Sequence, residues 1–226
     1  MAGNNQAVKM ATVFDENEAI DELLVFLRNS DILTTTQRNV TTATETFSGT
    51  GSTTNFSFTN TSVKNVRSVT VNSVAQTNYV DYTINYVDGE IDFTSAPASG
   101  TDNVEVSLDH GSDRIFDDWP RDDLSINSYP RVSLQLSPMS STEGDTSGAT
   151  TFSDALFSVT VFGVNKRSVI SVVKSIRNAV INNKTGFTKI NFLTVGSQGP
   201  MLPNENSKTK ILQKNIDLRA PIIIEQ

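Results

Sequence analysis

The single histidine, His110, lies in the run Leu-Asp-His-Gly beside Asp109 and Asp113, where an imidazole and carboxylates could combine as a hydrolytic or metal-binding group. Such sites need several convergent groups, and the chain offers neither a second histidine nor any cysteine to complete one. A surface turn is the expected setting. The acids continue through Asp117, Asp118, Asp122 and Asp123. They are hard oxygen donors of the kind calcium uses, but the spacing lacks the alternate acids and distal glutamate of an EF-hand loop, so a solvated inter-domain link is expected. Gly49-Thr50-Gly51 imitates a phosphate loop, yet it opens no helix and lacks a following lysine, which makes it a turn. No catalytic, cofactor-binding or metal-binding residue is assigned, and the chain reads as non-enzymatic.

Other side chains suit contact rather than chemistry. Trp119, among acids and before Pro120, fits either packing on its own domain or anchoring in a neighbouring subunit. Lys166, Arg167, Lys174, Arg177 and Lys184 make one helix basic on its polar face, suited to a solvated surface, to acids of a neighbouring subunit, or to a channel past which DNA moves. Tyr79, Tyr82 and Tyr86 are candidates for a sugar-stacking surface, although strand alternation turns some of them to the core.

Composition narrows the class. Without cysteine, disulfides, thiolate metal sites and Cys nucleophiles are excluded. The 18 basic and 25 acidic residues give a net charge of -7, which opposes non-specific attraction to nucleic-acid phosphates. No apolar run approaches the ~20 residues of a bilayer span, and the N-terminus shows no signal-peptide pattern, so a soluble, cytosolically made, non-membrane protein is expected.

The elements that must position these residues fall in two groups. Residues 15–30 predict a helix, with Ile20, Leu23, Leu24 and Leu27 on one face and Asp15 and Glu18 spaced as a capping box. Thr34 to Thr46 reads as a linker. Residues 47–111 switch to period two with Gly, Asn, Pro and Asp punctuation, an inserted β-sandwich module, and Asp88-Gly89 predicts a type I′ hairpin. Beyond it come the strand YPRVSLQLSP, a long loop over 137–151, the strand DALFSVTVFGV, and a helix over 167–184 capped by Gly186. The strands KINFLTV and KILQKNIDLRAPIII close the chain around a loop over 196–208. The fold class is α+β: a small antiparallel sheet with two helices on one face, built from residues 1–46 and 112–226, plus the insert.

With 47–111 set aside, this order resembles the tail terminator (tail completion) proteins of long-tailed viruses of bacteria and archaea. Tyr129-Pro130-Arg131-Val132, and the SVTVFG strand running into a helix with Ile176-Arg177-Asn178-Ala179, carry the resemblance. The insert resembles small virion β-sandwich modules through Phe47, Gly49, Gly51, Phe56 and Phe58, Asp81-Tyr82-Thr83-Ile84 and Gly89-Glu90-Ile91-Asp92-Phe93. It is a departure from family terminators. The resemblance implies a virion protein of the tail or neck, a homohexameric ring on the tail tube protein that offers its other face to the head-tail connector or neck protein; DNA could pass through the lumen of such a ring without specific binding. Trp119, Tyr129, Arg131 and Arg177 are the candidate interface residues. A neck-decorating or tube subunit, and a glycan-binding module anchored to the virion, are the alternatives.

Overall fold

Asp15 opens the first helix: its Oδ1 accepts from the backbone N–H groups of Asn17 and Glu18 at 2.9 and 3.1 Å, satisfying donors that a helix start leaves free. The computed structural model describes residues 15–117, 124–143, 150–190, 192–204 and 210–225. Helix α1 (Glu16–Asn29) buries Ala19, Leu23, Leu24 and Leu27. In place of closing a capping box, Glu18 pairs with Lys189 at 2.7 Å.

The stretch 34–46 is not a linker. Thr34 and Gln37 cap each other around the single turn α2 (Thr35–Arg38), and strand β1 (Val40–Gly49) follows at once. Its threonines are β-branched residues suited to a strand, and the alternate positions Ala43, Glu45, Phe47 and Gly49 turn inward. The expected boundary at residue 47 therefore falls inside β1. Strands β2 (Asn55–Ser57), β3 (Val63–Val71), β4 (Val74–Ala75), β5 (Tyr82–Asn85), β6 (Glu90–Phe93) and β7 (Gly100–Gly111) complete a sandwich. One sheet has the order β1-β7-β3-β4 and the other β2-β6-β5. Val66, Val69, Val104, Val106 and Leu108 from the first meet Tyr82, Ile91 and Phe93 from the second. The β5–β6 connection is a four-residue loop, since Asn85 pairs with Glu90. Only Gly89 there has positive φ, at 71°, so the turn is not type I′; the Asn85 side chain accepts from the Val87 and Asp88 N–H groups instead. The sandwich begins and ends at one place: Val40 pairs with Gly111, and Asn39 Nδ2 donates to Ser112 Oγ at 2.6 Å.

After the two-residue β8 (Ile115–Phe116) and a 3₁₀ turn (Ile126–Ser128), the chain builds its larger sheet from β9 (Arg131–Glu143), β10 (Thr150–Gly163), β11 (Thr194–Pro203) and β12 (Leu212–Glu225). The order is β11-β12-β10-β9-β8, antiparallel throughout except where β8 runs parallel to β9. Helix α3 (Lys166–Asn182) lies between β10 and β11 in sequence and joins α1 on one face. Val132, Leu134, Phe157, Val159, Val161, Ile216 and Leu218 pack beneath Leu23, Leu27, Val169, Val173 and Ile176. Three expectations shift. Most of the loop over 137–151 is a continuation of the β9–β10 hairpin, with Glu143 paired to Thr151. The loop over 196–208 is largely strand β11, while KINFLTV contributes only its last two residues to that strand. Helix α3 ends at Asn183, whose N–H reaches the Ala179 and Val180 carbonyls, rather than at Gly186.

Candidate functional site

Alternation along β7 turns Leu108 into the sandwich core and Asp109 to the opposite face, beneath α2. There Arg38, with no exposed side-chain surface, donates from Nη1 to Asp109 Oδ2 at 2.7 Å. Its Nε and Nη2 grip both oxygens of Asp113 at 3.0 and 2.9 Å, the bidentate geometry guanidinium favours. Arg67 Nε and Thr42 Oγ1 donate to Asp109 Oδ1 at 2.8 and 2.7 Å. Arg28 of α1 stands 2.9 Å from Asp113 through Nε and donates to the Lys64 and Ile115 carbonyls at 2.6 and 2.7 Å. Burial opposes ionisation of Asp109, but the hydrogen bonds from Arg67, Thr42 and Arg38 outweigh it and hold the carboxyl below its ordinary value. Burial likewise opposes the charge on Arg38, and Asp113 and Asp109 outweigh it, raising its pKa.

This network corrects the solvated-link reading of Asp109 and Asp113. Both are buried and committed to arginines, clamping α1, α2, β3 and β7 at the junction of sandwich and helical layer. His110 is half-buried within β7, paired across to Thr41 and Val63, and does not sit in a surface turn. Among the described residues no group of three or more His, Cys, Asp or Glu side chains is arranged to hold a metal. Asp118, Asp122 and Asp123 lie outside the described residues. The clamp is invisible in the sequence because its arginines come from three separate segments; the cue it offers is charge within otherwise apolar or strand-like runs.

The four candidate interface residues separate. Trp119 lies outside the described residues. Tyr129 is buried against Phe162 and Ile211, within the chain's own packing. Arg131 is half-buried, its guanidinium carbon 4.5 Å from the centre of the Phe116 ring. Arg177 is exposed, as are Lys166, Arg167, Lys174 and Lys184; Ile170 and Ile181 are exposed on the same helix and fall with Lys174 and Arg177 at the spacing of one outer stripe. The three tyrosines form no stacking platform. Tyr82 is in the sandwich core, Tyr86 packs against that core, with burial pushing its hydroxyl up to about 12, and Tyr79 lies against Lys189, 5.1 Å from ring centre to Nζ. Gly49-Thr50-Gly51 is a turn as expected, with the Gly51 N–H donating to the Pro97 carbonyl.

The larger sheet presents two edges. Among the described residues β11 pairs with β12 on one side alone. At the other end β8 covers only Val132 and Ser133 of β9, leaving the rest of that strand's outer edge unpaired among the described residues. Unpaired strand edges of this length are templates for further strand addition. Charge is segregated as well: residues 40–111 hold eight acids against Lys64 and Arg67, so the sandwich carries -6 of the -7 total, while the sequence of α3 has no acid at all.

No protein-family model matches the chain, and no curated protein matches it. Among solved structures, a chain described as "Virion of native gene transfer agent (GTA) particle" aligns with a TM-score of 0.36 and 14% identity, covering 49% of this chain and 78% of that one.

Proposed function

We propose that this chain is a non-enzymatic structural subunit of a virus particle, which closes into a ring at the head-proximal end of a tail, terminating the tube and joining it to the neck. The observation that carries the reading is the pair of edges left free by the described residues, β11 and the outer side of β9, on opposite margins of one sheet. Head-to-tail pairing of unlike edges is asymmetric, so it ends only when the rotation between copies closes a ring. The segment order that resembles tail terminators supports the location, and the same resemblance suggests six copies, with tube and connector proteins as partners. The sandwich, lying off the β8 margin, would decorate the outside. Purified protein imaged in negative stain should show closed rings of uniform size, with a matching single species in sedimentation velocity. Monomers at concentrations that support assembly, or open filaments, would overturn the reading.

A further inference from the structure

The short parallel pairing of β8 with β9 sets Ile115 opposite Val132 in the core beneath the helices. The residues before them, Arg114 and Arg131, therefore stand side by side on the other face of the sheet, joined by the Val132 N–H donating to the Arg114 carbonyl at 2.8 Å. Two like charges at directly neighbouring positions repel. Both are half-buried, which removes part of the water that would screen them. Arg114 donates from Nη1 to the Tyr129 carbonyl at 3.3 Å, while Arg131 lies over Phe116. Among the described residues the buried Nε of Arg131 has no acceptor, and neither does the neighbouring Ser133 hydroxyl, on a residue only 1% exposed. Asp113, the carboxylate whose field reaches Arg131, is already gripped by Arg28 and Arg38. Burial holds both guanidinium pKa values below their ordinary range.

We propose that Arg114 and Arg131 together bind an oxyanion, a phosphate or carboxylate group, with the Ser133 hydroxyl as a further donor. A guanidinium with an unfilled donor, a second cation beside it and a buried hydroxyl match an acceptor with several oxygens, and one bound anion removes the repulsion and satisfies the orphaned donors together. The site does not depend on the ring reading. Its source is either a free anion or an acidic side chain of a second copy, since the described residues leave this sheet margin open and the chain is acidic.

The probe is inorganic phosphate, titrated into the full-length chain while the Arg131 Nε–Hε resonance is followed by NMR, with chloride at matched ionic strength as the reference. Phosphate should move that resonance saturably and raise the melting temperature beyond the chloride value. Arg114→Gln and Arg131→Gln should each abolish the extra rise. At low salt without phosphate, Arg114→Gln should melt no lower than the parent chain, because a repulsion has been relieved. Acetate in place of phosphate, together with sedimentation at several protein concentrations, separates the sources: phosphate dispersing an assembled species identifies a carboxylate from a second copy, and binding independent of protein concentration identifies a free anion. A resonance that responds to phosphate and chloride alike, or a melting shift that survives in both variants, overturns the site.

Discussion

Arg38 has no solvent and two carboxylates, so its value to the fold depends on both remaining. Removing one partner of a buried pair leaves an uncompensated charge and costs about 3–5 kcal/mol. Asp109→Asn should therefore lower the unfolding free energy by roughly that amount in urea titrations, whereas Arg114→Gln, which removes a cation with no ion pair among the described residues, should not. The pH dependence has a definite sign. Asp109 is held below its ordinary value as described above. Glu45 is too: burial opposes its charge, but the backbone N–H groups of Thr59 and Asn60, each at 2.8 Å, outweigh it. A carboxyl depressed in the folded state contributes stability that is fully present above its unfolded pKa near ~4 and is lost as pH falls through the lower folded value. Acid titration of stability should show that loss below about pH 4, and the Asp109→Asn chain should show a shallower slope there.

At the level of elements, α1 and α3 were readable because an apolar stripe at helical spacing and a capping side chain agree on the same boundaries; Asn165 Oδ1 accepts from the Ser168 N–H at 2.8 Å at the start of α3. Replacing Asn165 by alanine should cost about 1 kcal/mol by the loss of that cap, seen as a lowered midpoint with unchanged slope. The strands were readable where apolar and polar residues alternate, as in RVSLQL and LFSVTV. β11 was not, because SQGPMLP has no alternation and contains the residues that mark turns; its strand geometry comes from pairing with β12, with two register shifts that accommodate the misfit. β1 was missed for a different reason. Its inward positions are Ala43, Glu45, Phe47 and Gly49, too polar to signal a buried face, and Glu45 is tolerated only because it holds the 59–60 backbone. Gly49 is required by contact: a Cβ there would lie 2.2 Å from the Ala98 carbonyl oxygen. Of the candidate site, sequence pointed to Arg131, but its pairing with Arg114 depends on a two-residue parallel contact that no local pattern announces.

At the scale of the whole molecule, the two apolar cores share no residue, and the units are joined through the network of Arg28, Arg38, Asp109 and Asp113, with a second contact where Lys189 meets Tyr79. Excising residues 40–111 with a short bridge should leave a chain that still unfolds cooperatively, since the sheet and both long helices keep their core. It should be less stable than the parent by the loss of Asp109 from Arg38, and Arg38→Met in the shortened chain should recover much of the difference. A shortened chain that aggregates, or melts without a transition by circular dichroism, would show that the units fold only together. The meeting of Val40 with Gly111, and of Asn39 with Ser112, then carries a practical meaning. The polypeptide departs and returns through a doorway one residue pair wide, so any compact domain with adjacent termini could be grafted there, provided the graft presents a carboxylate to Arg38 where Asp109 now stands.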